Sequence, residues 1–192
     1  MNLELNNRLD NFCTLINTCE ITLKNESCVN LNNGINLIYE KLKNLKNNNK
    51  NLYLFGNGGS ASVASHAATD FCNVAKIKAT TLHESSMLTC FSNDYGYENS
   101  FSNIVDHFLN KEDIIIAISS SGNSMNIRNL VLVAEKNDAL LITFSGFSIN
   151  NPLRKLGDIN IWLNSNDYGF VEIGHQFILH NIADRFNPKF SE

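Results

Sequence analysis

The sequence is poor in charge, in proline and in paired cysteine, and each shortage excludes a class of protein. Charged residues make up 18% of its 192 positions and sum to −4, which gives no field to attract a polyanion, so nucleic acid is not an expected partner. Five cysteines, Cys13, Cys19, Cys28, Cys72 and Cys90, are odd in number and lack CxxC spacing. They fit reduced thiols in a cytoplasmic protein better than a disulfide framework. No apolar run approaches the roughly 18 residues of a membrane span, and "MNLELNNRLDNF" lacks the basic start and apolar block of a secretory leader. The expectation is a cytoplasmic protein with no membrane contact. Prolines number two, Pro152 and Pro188, so little interrupts the periodic segments.

What is present suffices for a core. Hydrophobic residues make up 43% of the chain, and its length suits a single domain over 1–192. Leu5, Leu9, Phe12, Ile16 and Cys19 recur at three- or four-residue steps, as do Leu31, Ile35, Ile38, Leu42 and Leu45, which predicts a pair of amphipathic helices within residues 1–50. The second has the spacing of a bundle seam, so oligomerisation is one use for these helices and burial in the same subunit is the other. From 51 to 192 the pattern becomes α/β. "LYLF", "DIIIAI", "ALLITF" and "INIWL" are continuous apolar runs, as strands covered on both faces should be, and helical stretches near 60–71, 85–91, 124–136 and 169–186 alternate with them. The expected fold is α/β, a doubly wound, mostly parallel sheet flanked by helices, with the N-terminal helical pair added.

Two strand-to-helix turns carry chemistry. Gly56-Asn57-Gly58-Gly59-Ser60 follows the first strand, and Ser119-Ser120-Ser121-Gly122-Asn123-Ser124 follows the second. Such turns lie where open α/β sheets bind ligands, and glycines with clustered hydroxyls and amides donate to phosphate oxygens without adding charge. A serine-rich helix cap is the alternative for the second turn. Gly56 to Ala61 fits G-x-G-x-x-A loosely, but the acidic residue that should end the next strand is missing: Asp70 lies inside the predicted helix. No Lys-Ser/Thr follows the glycines either, so neither a nicotinamide cofactor nor a P-loop is expected. His66 and Asp70 stand at i and i+4 on one helix face, a spacing for metal binding, proton transfer or a helix-surface hydrogen bond. The last helix carries Glu172, His175 and His180 among apolar residues.

Together, "GNGGSA", the H-x-x-x-D helix, "SNDYGYE" at 92–98, "SSSGNS" and the terminal E-x-x-H-x-x-x-x-H resemble the sugar isomerase (SIS) domain family, in its phosphoheptose isomerase branch, from about Leu31 to Arg185. The resemblance implies an aldose-ketose isomerase that interconverts sedoheptulose 7-phosphate and D-glycero-D-manno-heptose 7-phosphate through an enediol. It implies that Asn57, Gly58 and Ser60 line the sugar, that Ser119, Ser121 and Ser124 hold the phosphate, and that Asp94 and Asp167 contact hydroxyls. It also implies zinc on His66, Asp70, Glu172 and His180, with Asp70 and His180 as the acid-base pair, in a homotetramer whose sites form between subunits.

Four positions depart from that family. Asp70 stands where glutamate is usual, Glu172 where glutamine is, and Val74 and Phe170 where arginines are. A base shortened by one methylene moves its oxygens by roughly 1 Å, and lost guanidiniums remove charge-assisted contacts. A different sugar phosphate, or a non-catalytic phosphosugar-binding or adaptor protein of the same fold, is therefore the second reading.

Overall fold

The computed structural model describes residues 4–190. Its sheet has seven strands: β1 (Glu20–Leu23), β2 (Cys28–Val29), β3 (Asn51–Phe55), β4 (Lys78–Thr80), β5 (Ile114–Ser119), β6 (Leu140–Ser145) and β7 (Ile159–Trp162). They are ordered β2-β1-β7-β6-β5-β3-β4. Strands β3 to β7 run parallel, and the β1–β2 hairpin adds to β7 antiparallel. The helices α1 (Leu5–Asn17), α2 (Leu31–Asn47), α3 (Gly59–Asn73) and α8 (Tyr168–Asp184) belong to the core on one face. On the other face lie α4 (Ser85–Tyr95), α5 (Tyr97–Asp106), α6 (Met125–Arg128) and α7 (Leu130–Lys136). Every side chain of β5 is buried, as its unbroken apolar run requires.

Three features differ from the periodicity reading. The first helix stops at Asn17, and Cys19 is buried at the entry to β1 instead of continuing the stripe. The hairpin between α1 and α2, and the three-residue β4, are too short to give a period. Residues 124–136 form two short helices rather than one, and a further helix, α5, follows α4. Ile35, Ile38, Leu42 and Leu45 are buried against this chain's own sheet, so the seam-like spacing of α2 serves its own core. Among the described residues, no helix is long and apolar enough to cross a membrane, and all five cysteines are free.

His175 is part of this core and not of a ligand set. It is fully buried, its ring lies 5.5 Å from that of Phe144, and its Nε2 is 3.1 Å from the Ser145 carbonyl. A carbonyl only accepts, so Nε2 carries the proton. Burial pushes the imidazole down to about 4 against the pull of that carbonyl. The unfolded chain, near 6.5, therefore takes up its proton first. The stability this residue confers is whole above pH 6.5 and is lost as pH falls towards 4. Urea unfolding of the parent should lose about 2 to 3 kcal/mol more between pH 7 and pH 4.5 than that of His175→Gln. Equal losses would contradict this.

Candidate active site

The parallel strands reverse direction of succession between β3 and β5: β3 leads outward to β4, while β5 leads the other way to β6 and β7. Ligand crevices form at such a switch point, beyond the carboxyl ends of the strands. Both chemistry-bearing turns lie there. Asn57, Gly58, Gly59, Ser60, Ser119, Ser120, Ser121 and Ser124 surround a cavity of about 250 Å³, closed on one side by Tyr168 and Glu172 of α8. The backbone enters α3 with Gly59 against the Glu172 carboxylate, and a Cβ at Gly59 would overlap it.

The serine turn is braced from beneath. Gly122 has φ +65°, and a Cβ there would collide with the Asn151 side chain. Asn151 is buried, and its Nδ2 donates to the carbonyls of Gly146 (3.0 Å) and Ser148 (2.9 Å) and to Ser145 Oγ (3.3 Å). Its Oδ1 caps the 3-10 turn Pro152–Lys155 through Arg154 N. Ser119 Oγ donates to Ser124 Oγ at 3.3 Å, and Ser121 Oγ accepts from Asn123 N at 3.2 Å. The Ser120 hydroxyl is buried with no hydrogen-bond partner among the described residues. The turn thus brings hydroxyls and amides, with no charge of its own, to one concave surface.

A second cluster sits farther down the seam between α3 and α8. Asp70 Oδ2 is 3.0 Å from His180 Nδ1 and 3.4 Å from His66 Nε2, and the two imidazole centroids are 4.8 Å apart. The ligand atoms of all three lie within 4.8 Å of one another. Asp70 Oδ2 is itself buried, yet no contact to it has hydrogen-bond geometry among the described residues. An orphaned carboxylate oxygen facing two imidazole nitrogens suits a divalent cation, since neighbouring ligand atoms on tetrahedral zinc lie roughly 3.3 Å apart. Glu172 is outside this cluster. It precedes His180 by two turns of α8, about 12 Å of rise, and packs on Gly59 instead. One chain therefore assembles three of the four expected ligands.

The two remaining expected residues stand apart from the cavity. Asp94 is exposed near the end of α4, accepting from Cys90 Sγ (3.7 Å) and Asn93 Nδ2 (2.9 Å). Asp167 caps α8, its Oδ1 accepting from Phe170 N, and it pairs with Arg8 at 3.0 Å. The Arg8 guanidinium holds its carboxyl below the usual carboxylate range. Sequence reasoning missed Asn126, Tyr97, Tyr168 and Asn151. Tyr97 lies in the quoted "SNDYGYE", but only the closed fold sets its hydroxyl 2.8 Å from Asn57.

A second cavity, of about 260 Å³, lies by the β1–β2 hairpin and is lined by Lys24, Arg154 and Lys155. Its cations already face acids: Lys24 meets Glu135 and Asp158, Arg154 meets Glu20, and Lys155 meets Glu26. That cavity therefore offers an anion only cations that are already paired.

The SIS domain family matches residues 17–146. Phosphoheptose isomerase 2 of Campylobacter jejuni is 37% identical over 172 residues, spanning 85% of this chain and 83% of that protein. The chain belongs to the SIS domain family, in its phosphoheptose isomerase branch. Among solved structures, the phosphoheptose isomerase of Neisseria gonorrhoeae superposes with a TM-score of 0.74 at 26% identity, over 80% of this chain and 85% of that one. The phosphoheptose isomerase of Francisella tularensis shares the fold, with a TM-score of 0.81 at 21% identity over 97% of this chain and 98% of that one.

Within this SIS domain the four departures have local explanations of different strength. Phe170 packs beside Phe12, and the Arg8 guanidinium lies 4.1 Å from its ring centroid while pairing with Asp167 outside the cavity. Glu172 rests on Gly59 in the cavity wall, and Asp70 keeps both imidazoles within reach despite its shorter stem. Val74 is the half-buried C-cap of α3, and nothing in the structure explains it.

Proposed function

We propose that the protein is an aldose-ketose isomerase of phosphorylated heptoses, converting sedoheptulose 7-phosphate to D-glycero-D-manno-heptose 7-phosphate. The observation that carries this reading is the pairing of Asp70 with His180 in a chain that also has the serine-lined cavity. A binding module needs only the cavity; a carboxylate held 3.0 Å from an imidazole adds a base and an acid. In this reading the hydroxyls and amides of the serine turn take the phosphate, and Asn57, Gly58 and Ser60 face the sugar. Asp70 removes the proton from C1, and His180 supplies one to the carbonyl oxygen at C2, giving the enediol. Return of the proton to C2, with loss of one from the C1 hydroxyl, gives the aldose.

His66, Asp70 and His180 would hold zinc or another divalent ion. Such an ion would polarise the oxygens at C1 and C2. Elemental analysis of protein purified without chelators should find metal in the parent and none in the His66→Ala, His180→Ala double variant. Equal content in the two would contradict the assignment.

Distances along α3 favour a site shared between copies of this chain. Asp70 follows Gly59 by eleven residues, about 16 Å of helix rise, whereas an extended heptose phosphate spans roughly 10 Å from C1 to phosphorus. The phosphate turn of one copy and the acid-base pair of another can serve one substrate molecule if the chains associate. Leu5 and Leu9 of α1 and Ile173 and Phe177 of α8 are exposed and available for that contact. The proposal is a homotetramer in the cytoplasm, the compartment its free thiols suit. Light scattering should give a mass near four times the 21.5 kDa of one chain; a mass of one chain would refute it.

Incubation with a panel of heptose and pentose phosphates, with products separated by chromatography, tests the substrate. Conversion of the heptulose phosphate above all others is expected. Preference for a pentose phosphate would move the assignment to another sugar, and conversion of none would favour the non-catalytic reading.

A further inference from the structure

Asn57 lines the cavity, and its amide is almost fully engaged by residues behind it. Its Oδ1 accepts the Tyr97 hydroxyl at 2.8 Å and Asn126 Nδ2 at 3.0 Å, and its Nδ2 donates to Asn126 Oδ1 at 2.9 Å. Both acceptor positions and one of the two amide hydrogens are thereby used, which leaves a single N–H. Asn126 is buried at the start of α6, while Tyr97 opens α5 and is half exposed. The three residues join the glycine turn after β3, the helix after the serine turn, and the α4–α5 segment.

We infer that Tyr97 and Asn126 are positioning residues that fix the Asn57 amide with its remaining N–H as a donor to the bound sugar phosphate, an inference that rests on the sugar-phosphate reading. A loop asparagine held by nothing can present either end of its amide. The phosphate on the serine turn of the same cavity accepts hydrogen bonds only, so the orientation that turns Oδ1 into the cavity repels it. The reciprocal amide pair with Asn126 is compatible with both orientations. Tyr97 distinguishes them, because a phenol oxygen delocalises its lone pair into the ring and donates better than it accepts. It thus favours the orientation in which Asn57 turns Oδ1 away from the ligand. The amide is ordered when the chain folds, so less freedom is lost on binding. Neither positioning residue touches the substrate; both act through Asn57.

The test is binding of sedoheptulose 7-phosphate to the full-length protein by calorimetry, with melting temperature as the control for folding. Tyr97→Phe keeps the ring at a half-exposed position and removes only the hydroxyl. It should raise Kd about 5- to 10-fold, as loss of one hydrogen bond does, with the melting temperature unchanged. In an Asn57→Ala background, adding Tyr97→Phe should change Kd by less than about 2-fold, because the residue through which Tyr97 acts is gone. Asn126→Asp, which can accept from Asn57 but cannot donate to it, should weaken binding more than Tyr97→Phe. Unchanged Kd in Tyr97→Phe, or an effect that persists undiminished in the Asn57→Ala background, would overturn the inference and leave the sugar-phosphate reading standing. Failure of the unsubstituted protein to bind the sugar phosphate would overturn that reading and the inference with it.

Discussion

Asp70→Asn should lower kcat by about 100- to 10,000-fold, the range expected when a general base is lost, while leaving sugar-phosphate affinity within a few-fold of the parent. The substitution keeps the size of the side chain and its place between the two imidazoles, 3.0 Å from His180 and 3.4 Å from His66. It removes the ability to take a proton and weakens one of the three groups that would hold a metal, so metal content measured beside kcat separates the two losses. The phosphate turn follows β5 and meets the start of α3, the end opposite Asp70, so its hydroxyls and amides are unchanged. Little stability should be lost, since both histidines are partly exposed and such pairs are worth about 1 kcal/mol or less. Asp70→Glu restores the carboxylate on a stem one methylene longer, and should recover more of kcat than Asp70→Asn. Steady-state kinetics with a calorimetric Kd for each variant separates these terms. A parallel fall in affinity and melting temperature would mean that Asp70 supports the fold rather than the chemistry.

Gly122→Ala should abolish measurable sugar-phosphate binding and destabilise the protein by about 3 kcal/mol. A left-handed backbone costs an L-residue roughly 1 to 2 kcal/mol, and φ at Gly122 is +65°. The added methyl would also push against the Asn151 side chain, whose amide holds the carbonyls of Gly146 and Ser148 and, through Arg154 N, the 3-10 turn that follows. Displacing it leaves buried polar groups unpaired at roughly 1 to 3 kcal/mol each. Because Ser121 and Ser124 flank this point, the phosphate surface would be lost before the rest of the sheet. Urea unfolding and calorimetry together give the outcome. Full affinity in Gly122→Ala would show that the serine turn is not where the phosphate sits.

The parts of the protein that were legible in its sequence are those where chemistry and periodicity change at the same residue. "LYLF" and "DIIIAI" each end in a turn of glycine or serine, so the strand, its carboxyl end and the ligand surface could all be read within twelve positions. His66 and Asp70 were legible because four residues make one helical turn. The β1–β2 hairpin was not, since strands of four and two residues offer no period and the stripe of α1 runs on through Cys19. Asp167 shows a different limit. An acidic residue just before a helix is a capping signal, and the structure uses it so, with Arg8 closing on it from α1. The clamp on Asn57 depends on residues 40 and 69 positions away, a closure that no local pattern encodes.

The most direct measurement is NMR of the purified protein with sedoheptulose 7-phosphate in deuterated water. Abstraction of the C1 proton by Asp70 and its return to C2 predict that aldose signals grow in at the expense of the ketose. Deuterium should appear at C2 of the product to the extent that the base exchanges with solvent, and the Asp70→Asn sample should show neither change. A parent protein that binds the sugar phosphate but forms no aldose and takes up no deuterium would contradict the account and leave a binding protein in its place.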